Sequence, residues 1–100
     1  MIVRFRTNAL RHCYEDLKEG VKTWNGKLAR AYIQRINVIL ASDSDADLRR
    51  VPQFHFHALD GPLKGRFAIN LEKKRWRLVL SLENEGRTAW IEDVSNHYGD

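Results

Sequence analysis

Within fourteen positions the chain places Lys64, Arg66, Arg75 and Arg77, with His55 and His57 just ahead of them. Arginine grips an oxyanion through parallel N–H donors, lysine supplies a point charge, and histidine moves a proton near neutral pH. Gathered on one surface, these side chains suit binding of a phosphodiester and stabilisation of the charge that develops as it is cleaved. Whether they gather depends on the elements that carry them.

Two stretches alternate with period two. Phe67, Ile69 and Leu71 are interleaved with Arg66, Ala68 and Asn70, and Trp76, Leu78, Leu80 and Leu82 with Arg75, Arg77, Val79 and Ser81. This spacing predicts two strands. If the apolar sets face a core, alternation turns Arg66, Arg75 and Arg77 onto the opposite face. Lys64 lies in the loop before the first strand, and His55 and His57 join it if Phe54-His55-Phe56-His57 packs along that strand's start. The same pattern also describes an exposed sheet face coated with solubilising charge, and alternation leaves both readings open.

The remaining elements follow from the same periodicities. Val3 and Phe5 alternate with Arg4 and Arg6, which predicts a strand over 2–6. Asn8 is a candidate cap for a helix over about 9–19, where Leu10, Cys13, Tyr14 and Leu17 form one apolar stripe and Gly20 is the expected stop. A longer helix is expected from near Asn25 to Ala41, with a stripe from Leu28 to Leu40 that leaves Arg30 and Arg35 outside it. Asp45 is placed to cap a further short turn through Leu48, and Pro52 opens a loop. Lys73-Lys74 marks the connection between the two strands, and Asn84-Glu85-Gly86 leads to a last strand near 88–94 in which the facing of Trp90 and Ile91 is ambiguous. The order is β-α-α-β-β-β, an α+β fold with the helices on one face of a small, antiparallel-rich sheet.

At 100 residues, 1–100 is expected to be a single domain. Apolar residues make up 43% and charged residues 30%, a globular balance that argues against disorder. No run approaches the roughly eighteen apolar residues that a bilayer crossing needs, and the amino terminus lacks the pattern of a secretory signal, so a cytoplasmic protein is expected. The lone cysteine, Cys13, cannot form an internal disulfide and sits in a helical apolar stripe, consistent with a buried thiol. The net charge of +4 is uneven: residues 1–40 carry eight basic and three acidic side chains, and residues 61–82 six and one. Two basic segments of this kind attract phosphate backbones if they meet.

From Phe56 to Leu82 the order His57, Leu59, Gly61, Leu63-Lys64-Gly65, Phe67-Ala68-Ile69 and Trp76-Arg77-Leu78 resembles the HigB-like toxins of the RelE/ParE superfamily. The stripe from Ala29 to Leu40, Arg35-Ile36, Asp47-Leu48 and Pro52 match the same family in order and spacing. The resemblance implies a RelE-like fold and the toxin of a bacterial type II toxin–antitoxin pair. Such a toxin is a metal-independent endoribonuclease that needs no cofactor and cleaves mRNA on the ribosome. Its expected partners are a cognate helix-turn-helix antitoxin of the HigA type, the ribosome with its mRNA, operator DNA through the toxin–antitoxin complex, and no membrane.

Carried over by position, the resemblance assigns phosphate stabilisation to Arg77, phosphate binding or charge relief to Lys64, and proton transfer or substrate orientation to His57. Arg66 and Arg75 become supporting contacts to the RNA backbone, on the strand facing alone. The carboxyl end departs from the family's Asp-Tyr-His: Asn96 replaces the acid, and His97 and Tyr98 exchange places. An amide cannot accept a proton as a carboxylate does, so acid–base work passes to His97, and Tyr98 is left to stack on a base or donate a hydrogen bond. That departure keeps alive a non-catalytic alternative of the same fold, either a ParE-like gyrase poison or a degenerate toxin acting as operator-binding corepressor.

Other residues invite simpler readings. His55 and His57 with Cys13 or His97 lack the spacing of a zinc site, and Asp43, Asp45 and Asp47 lack the glycine and terminal glutamate of a calcium loop. Trp24 and Trp90 are expected to pack, as large aromatics in so small a domain must. Arg30 and Arg35 fit a solvated helix face as well as they fit a second patch or an antitoxin contact.

Overall fold

A computed structural model describes residues 1–72 and 75–96. Its elements are β1 (Ile2–Phe5), α1 (Asn8–Glu15), α2 (Leu17–Thr23), α3 (Gly26–Ala41), α4 (Asp45–Arg49), β2 (His57–Ala58), β3 (Arg66–Glu72), β4 (Trp76–Glu83) and β5 (Thr88–Ser95), with single 3-10 turns at Pro52–Phe54 and Gly61–Leu63.

The first helix is capped one residue earlier than expected, by Thr7, whose Oγ1 accepts from the Leu10 amide at 3.1 Å. It is also shorter. At Asp16 the backbone leaves the helical region (φ −136°, ψ 110°), and the Asp16 carboxylate accepts from the Lys18 amide to start α2. The single helix expected over 9–19 is therefore two, and Leu17, expected on the apolar stripe, is exposed. Gly20 does not stop a helix. It lies inside α2, buried, where a Cβ would stand 2.9 Å from the Cβ of Ala29 on α3. This glycine lets two helices approach.

The long helix keeps its expected limits. The Oδ1 of Asn25 accepts from the Leu28 amide at 2.8 Å, and Leu28, Ala29, Tyr32, Ile36 and Ile39 are buried. Arg35, which fits a solvated face as well as a second patch or an antitoxin contact by sequence, reaches β3, donating from Nε to the Asn70 carbonyl at 3.0 Å and from Nη2 to the Leu71 carbonyl at 3.1 Å. The β3–β4 register shifts between Asn70 and Glu72, and such a bulge breaks the regular ladder that Arg35's donors then supplement. Burial lowers the Arg35 pKa.

The sheet has the order β1-β5-β4-β3-β2, with β1 parallel to β5 and the other pairs antiparallel. The α+β class and its helix-covered sheet stand, with four α-helices and one additional strand. That strand, β2, pairs His57 with Ala68 and Ala58 with Phe67; two residues are too few for a periodicity to reveal. Ile69 and Leu71 of β3, Leu78 and Leu80 of β4, and Ala89 and Ile91 of β5 face the helices and join Cys13, Tyr32, Ile36, Ile39, Leu48 and Phe54 in the main core. Trp24 packs on Tyr32 with ring centroids 5.0 Å apart, a packing role as expected. Lys73 and Lys74, expected at the β3–β4 connection, lie outside the described residues.

Gly20→Ala is expected to lower stability by about 1 kcal/mol, because overpacking at a rigid contact costs about 1–3 kcal/mol and outweighs the gain of roughly 1 kcal/mol in helix propensity. Urea unfolding of Gly20→Ala, with Ala29→Gly added as a second change that relieves the clash, measures both effects. A Gly20→Ala protein more stable than the parent would contradict the close α2–α3 approach.

Candidate functional site

The sheet face turned away from the helices is laid out by strand pairing. Paired residues share a face, so Arg66, Ser81, Trp90 and Arg4 form one row, His57, Ala68, Val79 and Asp93 a second, and Asn70, Arg77 and Ser95 a third. His57, Arg66 and Arg77 therefore occupy one face; alternation predicts this for the two arginines, and the pairing of β2 with β3 adds His57. With strands about 4.8 Å apart and residues about 3.3 Å apart along them, His57 and Arg77 are separated by roughly 12 Å between Cα positions, and Arg66 and Arg77 by about 14 Å.

Arg77 lies on the outward face yet is only 6% exposed. A guanidinium with little water around it acts on a nearby phosphate through a lower effective dielectric than a fully solvated one. Arg75 precedes β4 and is exposed in the β3–β4 connection, not within the ladder. Lys64 is exposed at the end of the Gly61–Leu63 turn. His97 and Tyr98 lie outside the described residues.

A second, small apolar cluster explains how the loop carrying Lys64 reaches this face. Leu59, 6% exposed, and Leu63 pack on Ala68 and Val79. Within β4, Val79 is an apolar residue between the outward Arg77 and Ser81, and with Ala68 it anchors the loop by burying leucine against the back of the sheet. The Leu59 amide donates to the Arg66 carbonyl at 2.9 Å and continues the β2–β3 pairing.

His57 is oriented by its own backbone neighbourhood. Its Nδ1 stands 2.7 Å from the carbonyl of His55, a residue in the left-handed region at φ 46°. A carbonyl only accepts, so Nδ1 carries the proton and the neutral ring presents the Nε2 lone pair on its other side. This is the tautomer of a base whose free nitrogen points away from its support.

Three residues complete this face that the strand alternation of 66–82 did not include. Parallel pairing of β1 with β5 brings Arg4 and Arg6 onto it, and a register shift at Val79/Leu80 puts Leu80 opposite Ile91 and Val79 opposite Asp93, leaving Glu92 as the extra residue of a bulge. The Glu92 side chain is 4% exposed. It accepts from Arg6 Nε at 2.9 Å and Nη2 at 2.8 Å and from Ser81 Oγ at 2.6 Å, and Arg66 Nη2 stands 3.8 Å away. The Arg6 guanidinium lies 4.6 Å from the centre of the Trp90 ring. The hydrogen bonds from Arg6, and then that from Ser81, outweigh burial and hold the Glu92 carboxyl down at about 2. Glu92 and Asp93, adjacent acids in a strand read by alternation, were the available signal of the bulge.

A cavity of about 440 Å³ runs beside β1 and α1, lined in part by Val3, Phe5, Arg11 and Tyr14. His57, Arg66 and Arg77, none of which lines it, are spread across the outward sheet face. Such a surface suits a ligand larger than a metabolite.

A family profile described as the RelE-like toxin of type II toxin–antitoxin system HigB matches residues 3–95. Among solved structures, the chain is similar to a YoeB/ParE toxin from Agrobacterium tumefaciens, at TM-score 0.57 and 16% identity over 98% of this chain and 100% of that one. It is also similar to a chain of a YoeB–YefM complex from Staphylococcus aureus, at TM-score 0.57 and 18% identity over 98% of each chain. These likenesses are of fold. No curated protein sequence matches the chain. No helix among the described residues is long and apolar enough to cross a membrane.

Because the folded-state pKa of Glu92 is depressed from 4.5 to about 2, its pairing stabilises the fold fully above pH about 4.5, and that contribution is lost as the pH falls toward 2. Thermal unfolding of the wild type and of Glu92→Gln is expected to show the wild type ahead at pH 7, with the gap closing across that window. A gap independent of pH would contradict the ionised pairing.

Proposed function

Since the chain belongs to the HigB-like family of RelE-like toxins of type II toxin–antitoxin systems, we propose that it stops growth by cleaving mRNA on the translating ribosome and is silenced by a cognate antitoxin. The observation that carries this reading is the His57 imidazole, fixed by the His55 carbonyl in the tautomer of a base, on the same sheet face as Arg77. The family and the similarity to a chain of a toxin complex support an antitoxin partner. A helix-turn-helix antitoxin of the HigA type, and operator DNA bound through the complex, extend the same reading.

In this mechanism His57 Nε2 removes the proton of a ribose 2′-hydroxyl, and the 2′-oxygen attacks the adjacent phosphorus. The bond to the 5′-oxygen breaks, that oxygen takes a proton from an acid, and the products are a 2′,3′-cyclic phosphate and a 5′-hydroxyl. Arg77 stabilises the phosphorane, and Lys64 offsets charge on the substrate phosphate as its exposed loop permits. His97 is the proposed acid. Arg66 and Arg75 bind the backbone and Tyr98 stacks on or donates to a base. Every atom of the reaction comes from the RNA and these side chains, so the scheme uses no metal or other cofactor.

Induced expression without antitoxin is expected to arrest growth and translation. Arg77→Ala is expected to lower cleavage of ribosome-bound mRNA about a hundredfold or more, and His57→Ala by a similar factor, while both still fold. Lys64→Ala, at an exposed position, should relieve the arrest without altering the unfolding midpoint. A 2′-deoxy substitution at the cut position should abolish cleavage, because the nucleophile is gone. Intact mRNA beside inhibited gyrase would overturn the reading in favour of gyrase poisoning.

A further inference from the structure

On the same face, with Arg66 about 14 Å from Arg77, Arg6 joins Arg66 in a pair of cations; the cleavage scheme gives Arg66 only a general contact to the backbone and leaves Arg6 unused. Glu92 is nearly buried at 4% exposure, whereas the side chains of Arg6 and Arg66 that converge on it are 52% and 43% exposed. The carboxylate thus lies beneath and the guanidiniums above. Arg6 commits Nε and Nη2 to Glu92, which leaves its Nη1 donors directed elsewhere. Arg66 stands at 3.8 Å, beyond hydrogen-bond distance, and is drawn to the carboxylate without spending a donor on it. The Trp90 ring under Arg6 and the Ser81 hydroxyl on Glu92 limit how either can move.

We propose that Arg6 and Arg66, set side by side over Glu92, form a phosphate-binding subsite for an RNA strand, distinct from the cleavage centre, with Glu92 as their positioning residue. This rests on the RNA-cleaving reading. The separation from Arg77 means that the phosphate gripped here is not the one being cut, so the subsite fixes the strand's register and path. Two guanidiniums carry one charge more than the carboxylate removes, and planar forks with donors to spare match the paired oxygens of a phosphodiester. A structural pin between β1 and β5 requires only Arg6 and Glu92. Arg66, arriving from β3 and half-exposed, is what the pin does not require.

The decisive variant is Glu92→Gln. It raises the net charge by one, so attraction of RNA to a merely basic face would tighten binding, whereas loss of a positioning anchor weakens it. Anisotropy with a single-stranded 2′-O-methyl RNA, which lacks the nucleophile and stays uncut, measures affinity against salt. Glu92→Gln and Arg66→Gln are each expected to bind about tenfold more weakly. Arg66→Gln should also lower the slope of log affinity against log salt by about 1, the signature of one lost phosphate contact. Arg6→Lys should recover part of what Arg6→Gln loses, and Arg66→Gln carries the test if neither Arg6 variant folds.

Unchanged or tighter binding by Glu92→Gln overturns the subsite, as does weakening by Arg77→Ala with none by Arg66→Gln. A wild-type protein that cuts mRNA on ribosomes but has no affinity for the oligonucleotide overturns the subsite and leaves the cleavage reading intact. One that neither cuts nor binds overturns both.

Discussion

One buried carboxylate organises the open face of this sheet. Glu92, the extra residue of a bulge in β5, receives hydrogen bonds from Arg6, the residue just after β1, and from Ser81 of β4, and attracts Arg66 of β3, so a single side chain ties together β3, β4, β5 and the end of β1. Its cost of burial is offset because Arg6 and Ser81 donate to it and the positive Arg66 stands close by. The arginines gain as well: a guanidinium on a long, flexible stem is otherwise distributed over many rotamers, and pairing with a fixed anion narrows that distribution. A face that composition describes only as basic is therefore a basic face with defined directions.

The sheet is asymmetric in what its two faces bury. One packs against α1, α3 and the turn around Phe54 through Ile69, Leu71, Leu78, Leu80 and Ile91, and it holds most of the apolar side chains. The other buries a smaller apolar cluster, Leu59, Ala68 and Val79 with Leu63 beside them. The small cluster has a positional effect out of proportion to its area, because it fastens the loop that ends in Lys64. Arg77 sits between Trp76 and Leu78, both packed toward the main core, and close in sequence to Val79 of the small one. Its backbone is thus held from both sides, and the rigidity of a central strand is passed to a cation that is largely withdrawn from water.

Much of this was legible in the sequence, and the parts that were not have physical reasons. Alternation in 66–71 and 76–82 gave the correct facing of Arg66 and Arg77, because a strand with one face in the core admits a single register. Asn25 and the stripe from Leu28 to Ile39 placed the long helix, since capping and amphipathicity agree there. The break at Asp16 escaped notice because the apolar spacing runs on through Leu17, and only the competing hydrogen bond to Lys18 interrupts the helix. Gly20 has the look of a helix stop, but its role is set by Ala29, nine positions away. Arg35 and Glu92 belong to the same class of omission: both act across elements, Arg35 on the carbonyls of β3 and Glu92 on Arg6, and no local pattern reports a partner so far along the chain.

The shape of the site bears on how such a small protein achieves catalysis on the proposed reading. Active sites usually obtain much of their effect by enclosing the substrate, where holding reactants in a near-attack arrangement contributes about 7–11 kcal/mol. Here the proposed base and principal cation are roughly 12 Å apart on a sheet face, and neither lines the cavity beside β1 and α1. A lone RNA strand laid on such a face has few constraints on the angle between its 2′-oxygen and the scissile bond. The missing constraint must come from whatever presents the RNA. A ribosome that holds the strand bent and in register supplies it, and the protein then needs only to contribute donors and proton carriers at fixed spacing, which is what a sheet face with a buried carboxylate beneath its arginines provides.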